Sequence, residues 1–254
     1  MARKSLVRPV HYTLIFWLAL SFLITGCATV YNPVTHREEA SLISQQSEVQ
    51  IGREAATSLE KQYGLVKDTA LNTRVNNIGS RVARGCGRKN ITYTFKILKT
   101  DDVNALALPG GPVYVTYGLM KLQPTDSQLA NVLGHEVGHI CARHIIKKME
   151  AQIGYSMLYS IILSDSKKDI QNLSNTAFNL LALGYSRQDE FQADELGIEY
   201  AFRAGYDPYG MAGFLKLLKR NQKTNQSHID VFFSTHPHVD DRIERAEEIA
   251  GEYK

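Results

Sequence analysis

The chain has 254 residues, 44% hydrophobic and 22% charged, which is enough for one substantial domain of ordinary globular composition. A formal net charge of +3 is near neutral for this length, and much of the excess sits in Arg3, Lys4 and Arg8, so the composition gives no reason to expect nucleic acid or another acidic partner. No internal repeat, low-complexity tract or Pro/Gly/Ser linker divides the sequence.

Arg3, Lys4 and Arg8 form a positive N-terminal region, and residues 12–24 form an apolar segment too short to span a bilayer comfortably as a permanent helix. Ile24-Thr25-Gly26-Cys27 follows and resembles the bacterial lipobox. That resemblance implies a signal peptide over residues 1–26, cleavage before Cys27 and acylation of Cys27, giving a membrane partner through a lipid anchor. Each buried methylene adds ~0.8 kcal/mol, so several acyl chains on one residue anchor firmly. Residue 28 is Ala and not Asp, which by the sorting rule of such lipoproteins implies the outer membrane, periplasmic face. Residues 27–43 are polar without a clear period and are expected to be a flexible tether.

The apolar spacing of Val49, Ile51, Ala55, Ala56 and Leu59 predicts a helix over 44–63 ending at Gly64. Leu71, Val75, Ile78 and Val82 predict a second over 68–83. Residues 91–98 alternate and read as a strand; 103–108 and 112–117 flank Pro109-Gly110-Gly111 and read as two more. Helices are then expected over 127–149 with Asp126 as cap, 151–163, 170–183, from Ser186 or Asp189 to near Gly205, from Asp207-Pro208 to Asn221, and over 239–250. The expected fold class is α+β, a small sheet beside a mainly helical body. Cys86 and Cys141 can bridge in an oxidising compartment, but spacing cannot place them within bonding range, and two buried thiols fit equally.

The informative stretch is Gly134-His135-Glu136-Val137-Gly138-His139. Histidines at i and i+4 project from one helix face and can share a tetrahedral zinc. Glu136 lies about 100° round the helix from His135, where its carboxylate reaches water at the metal and can take its proton. Gly134 and Gly138 are poor mid-helix residues, so backbone or substrate should approach closely there. Position 145 is Ile, which excludes the third histidine of the metzincin pattern. His144 lies five residues past His139, about 140° off the ligand face of a continuous helix, and reads as a surface residue. Cys141 likewise faces away from the metal. Glu190 and Asp194 are i, i+4 on a later helix; one can bind zinc while the other accepts the spare N–H of a ligand histidine. Asp189, Glu195 and Glu199 read as a solvated face.

His135-Glu136-x-x-His139 followed by Glu190-x-x-Ala193-Asp194 resembles the gluzincin proteases of peptidase family M48, which include HtpX, the CAAX prenyl proteases, BepA and LoiP. Two further blocks agree: Asn104-Ala105-Leu106-Ala107-Leu108-Pro109-Gly110-Gly111, and Ser234-Thr235-His236-Pro237 with Arg242 behind it. The resemblance covers about residues 44–250 and implies a zincin-like protease domain over 44–254. It implies one Zn2+ per chain with Glu190 as third ligand, Asp194 as its neighbour and Glu136 as catalytic base. With no apolar span after the signal and little chain after the Thr-His-Pro block, the sequence looks most like the short single-domain lipoprotein members.

The implied function is an endopeptidase acting on misfolded or unassembled envelope proteins. The alternative is an outer-membrane assembly factor or chaperone with incidental proteolysis; an intact Glu136 favours the enzyme. Val113, Tyr114, Val115 and Thr116 are expected to form an edge strand that binds substrate by strand addition, against the alternative of a plain core hairpin. His236 has two functional readings, a hydrogen-bond donor to the oxyanion or a latch on zinc's open position, beside that of a surface loop histidine like His238.

Overall fold

A computed structural model describes residues 28–88, 90–153, 167–222 and 226–253. The segment expected to be a signal peptide and Cys27 lie outside the described residues, as does most of the helix expected over 151–163. Ala28–Asn32 (β1) and Arg37–Ser41 (β2) pair as an antiparallel hairpin, so the stretch expected to be a flexible tether is ordered from Ala28 onward. Its turn is built on Asn32, whose Oδ1 accepts the Val34 N–H at 2.9 Å and whose Nδ2 donates to Glu39 at 2.8 Å. Arg37–Ser41 carries three charged residues and no β-branched or aromatic one, so its sequence does not mark a strand.

Gln45–Tyr63 (α1) is capped by Ser44 and stopped by Gly64, and Thr69–Val82 (α2) is capped by Asp68. Thr94–Leu98 (β3), Ala105–Ala107 (β4) and Pro112–Thr116 (β5) form one sheet in the order β3-β5-β4, with β3 parallel and β4 antiparallel to β5. This corrects the reading of Val113, Tyr114, Val115 and Thr116 as an edge. They lie on the central strand with both ladders taken, and all four are buried. The apolar run is that of a strand covered on both faces, as the core-hairpin alternative requires. β4 is one outer strand of the sheet; β3 is the other, met at Leu98 by a bridge from Leu65.

A short helix absent from the expectations, Tyr117–Lys121 (α3), follows under a Thr116 cap. Asp126–Cys141 (α4) starts one residue earlier than expected, capped by Thr125 and Gln128 in a capping box. It does not run to 149. Arg143 adopts a left-handed φ of 60°, and His144–Ile153 (α5) begins after it. Then come Lys167–Ala182 (α6), Arg187–Arg203 (α7, capped by Ser186 with Asp189), Gly210–Gln222 (α8), Gln226–Thr235 (α9, also unexpected) and Val239–Glu252 (α10).

Every residue of α4 from Leu129 to Cys141 is buried, so the helix that carries the motif is the centre of the core. The approach expected at its glycines is made by the backbone of α7. A Cβ on Gly134 would stand 2.6 Å from Gly197 O, and one on Gly138 would stand 3.1 Å from Ala193 O. The far end of α4 is fastened twice. Cys141 is disulfide-bonded to Cys86, with Cα atoms 6.0 Å apart. Beside it, buried Glu48 holds Arg88 through two contacts of 2.7 and 2.9 Å and Arg143 Nε at 2.8 Å. No helix among the described residues is long and apolar enough to cross a membrane.

Candidate metal centre

The close crossing of α4 and α7 brings Glu190 against the two histidines. His135 Nε2 and His139 Nε2 are 2.9 Å apart. Glu190 Oε1 is 3.4 Å from His139 Nε2 and Oε2 is 3.6 Å from His135 Nε2. Donors placed tetrahedrally at zinc-ligand bond lengths are separated by about 3.3 Å, so this triangle has the dimensions of a zinc site. Its chemistry agrees. His135 Nδ1 lies 2.8 Å from Asp194 Oδ1, and an ionised carboxylate only accepts; the neutral imidazole therefore carries its proton on Nδ1 and presents a lone pair from Nε2. Burial, helped by neighbouring His135, holds the His139 pKa well below the usual histidine value, which keeps that ring neutral as a metal ligand requires.

Charge is supplied from behind. Arg242 is fully buried and grips Asp194 with two contacts of 2.7 Å, while its Nη1 stands 2.5 Å from Glu190 Oε2. Burial opposes the charge on Glu190, but Arg242, His236 and His135 outweigh it and keep the carboxylate ionised. Arg242 offsets only part of the negative charge that Glu190 and Asp194 bring into a buried space, which favours a cation beside them.

Glu136 projects to one side of this triangle. Its Oε2 is buried and has no hydrogen-bond partner among the described residues. Burial, reinforced by Glu190, raises its pKa, the direction a general base needs in order to hold a proton near neutral pH. Tyr185 stacks on His139 with ring centroids 3.8 Å apart.

His236 is 1% exposed, which removes the surface-loop reading. Its Nδ1 is 3.3 Å from His135 Nε2 and 3.2 Å from Glu190 Oε1, so it joins His135, His139 and Glu190 in one cluster of possible ligands. Burial alone would lower its pKa, but Glu190 beside it raises the net value. The second ring nitrogen lies 3.3 Å from Ala105 O on β4.

His144 corrects the sequence reading. It is 4% exposed, with Nδ1 2.8 Å from His139 Nδ1 and Nε2 2.9 Å from Gln192 Oε1. An offset of about 140° holds only on a continuous helix, and the left-handed Arg143 breaks it. A non-glycine in that conformation carries no signal in the sequence. Gln192, two residues past Glu190, was missed for the same reason.

The model of peptidase family M48 matches residues 69–250, and the chain belongs to that family. It is 26% identical over 224 residues to the beta-barrel assembly-enhancing protease of Escherichia coli (strain K12), covering 84% of this chain and 46% of that protein. The protein of the same name from Yersinia pestis is 28% identical over 222 residues, with 84% and 46% covered. The mitochondrial metalloendopeptidase OMA1 of Schizosaccharomyces pombe is 26% identical over 223 residues, covering 86% of this chain and 65% of that protein. The chain thus spans less than half the length of the two bacterial relatives.

Proposed function

We propose that this family member is a zinc-dependent endopeptidase that degrades misfolded or unassembled proteins of the bacterial envelope, held at the outer membrane through acylated Cys27. The observation that carries the catalytic part is the meeting of a lone-pair histidine, a neutral histidine and an ionised Glu190 at zinc dimensions beside the unpartnered Oε2 of Glu136. His135, His139 and Glu190 would hold the zinc, which when bound supplies a Lewis acid for the scissile carbonyl. Glu136 takes a proton from the attacking water and passes it to the leaving amine. Asp194 and Arg242 keep His135 and Glu190 oriented and Glu190 charged.

Substrate is received on β4. Thr116 N–H donates to Asn104 O and Leu108 N–H to Pro112 O, so the even-numbered residues face β5 and Ala105 and Ala107 turn their backbone groups to the free edge. An extended peptide adds there as an antiparallel strand, through backbone bonds that demand little of its sequence. A mostly apolar cavity of about 240 Å3, lined by Leu106, Phe178, Leu181 and Tyr185, runs from this edge to Glu136 and His236. Exposed apolar residues are what distinguishes an unfolded chain from a folded one, which suits such a lining to quality control.

His236 acts as a latch. It stands on the ligand cluster and on Ala105 O, so it must leave before a peptide can take the edge. Release of labelled casein by purified protein tests both roles, with zinc content measured in parallel. Glu136→Gln should keep its zinc and lose cleavage by a factor of at least about 100, because an amide cannot accept the proton; cleavage at the wild-type rate would reject the mechanism. His236→Ala should raise basal cleavage several-fold with zinc retained, whereas a fall in kcat would make His236 an oxyanion donor instead.

A further inference from the structure

We infer that His144, seated by Gln192, is the positioning residue for the metal ligand His139, fixing the tautomer that presents Nε2 to the metal. The inference rests on the metal-centre reading above and adds to it a support that the ligand motif does not contain. Gln192 Oε1 can only accept, so the 2.9 Å contact assigns a proton to His144 Nε2. A neutral His144 then has a bare Nδ1. The 2.8 Å contact between the two Nδ1 atoms needs one donor, which must be His139. His139 Nε2 is thereby left as a lone pair, facing Glu190 and His135.

The backbone is arranged for this contact. Arg143 ends α4 in its left-handed turn, and the chain reverses so that His144 returns to the ring five residues before it. Arg143 is held in that place by Glu48 at 2.8 Å and by Ile43 O at 2.7 Å. Gln192 is carried by α7, the helix that also supplies Glu190 and Asp194. One helix therefore delivers the third ligand, the support of His135 and the residue that seats the support of His139.

The test measures zinc affinity of the full chain by competition with a chromogenic chelator, with the absorption spectrum of the Co2+-loaded protein as second readout. His144→Leu removes the acceptor and keeps an apolar filler. His144→Asn carries Oδ1 on the same Cγ that bears Nδ1 in histidine and so can still accept from His139. We expect about a 10–100-fold loss of zinc affinity and an altered cobalt spectrum in His144→Leu, with both properties near wild type in His144→Asn. Gln192→Leu, which leaves His144 Nε2 only the more distant Asp189 carboxylate at 3.6 Å, should show a smaller loss and decides the matter if His144→Leu does not fold. Equal losses in the Leu and Asn variants of His144 would reduce the residue to packing and overturn the inference, as would wild-type affinity in Gln192→Leu. A wild-type chain that binds no zinc would overturn the metal-centre reading itself and this inference with it.

Discussion

His135 and His139 leave one face of α4 a turn apart, yet the protein backs them with different chemistry. Behind His135 stands a buried ion pair, Asp194 with Arg242, in which the arginine also touches Glu190. Behind His139 stands a neutral pair, His144 with Gln192, and the nearest charge to it is the half-exposed Asp189 carboxylate, 3.6 Å from His144 Nε2. A buried charge pair has a large desolvation cost already met by mutual attraction, so removing one partner leaves the other uncompensated. A neutral pair loses only a hydrogen bond or two. The His135 side should therefore fail abruptly and the His139 side by degrees.

The largest effect is expected at Arg242→Leu, which strands Asp194 and Glu190 in the core. Loss of a buried partner costs about 3–5 kcal/mol, and thermal unfolding should move down by roughly 6–20 °C for a domain of this size. A fall of one or two degrees in calorimetry would break the contrast. Next comes the covalent fastening on the His139 side: Cys86→Ser with Cys141→Ser opens a bridge between residues 55 apart in sequence. The expected loss is about 2–4 kcal/mol in urea unfolding, with zinc affinity little changed, since Glu48 and Arg143 still hold the turn. Zinc loss in proportion to stability would show that the turn depends on the bridge. Asp194→Asn keeps shape and removes charge. Zinc affinity should fall about 10–100-fold, or roughly 1.4–2.7 kcal/mol, by chelator competition. An effect no larger than that of Gln192→Leu would mean that charge behind His135 contributes nothing special.

The division between what the sequence disclosed and what it hid follows the same lines. His135, Glu136 and His139 are legible because their relation is set by one helix period, and Glu190 with Asp194 for the same reason on a second helix. The relation of the two helices to one another is tertiary, yet Gly134 and Gly138 announced a close approach without naming the partner. His144 was illegible because it depends on a backbone break at Arg143, which Glu48 secures from 95 residues away. The place of Val113–Thr116 in the sheet was illegible because strand order is not a local property. A continuous apolar strand is compatible with an edge or a centre until its neighbours are known. Residues 28–41 escaped because Arg37–Ser41 is charged and polar and has no β-branched or aromatic residue to mark a strand, and α9 because no apolar period was read between Asn221 and residue 239.

The contact of Gly134 with Gly197 also bears on which ions the centre can accept. Backbone presses on backbone there, so the separation of α4 and α7 is fixed by atoms that have no rotamers to change. A larger ion such as calcium, which seeks six to eight oxygen ligands at about 2.3–2.6 Å, would need the helices to part and would find two nitrogens where it wants oxygen. Magnesium, which demands near-octahedral oxygen coordination and surrenders its water reluctantly, is no better served. Ionic radius is thus screened by a pair of glycines that never touch the ion, and hardness by the two histidine nitrogens that do.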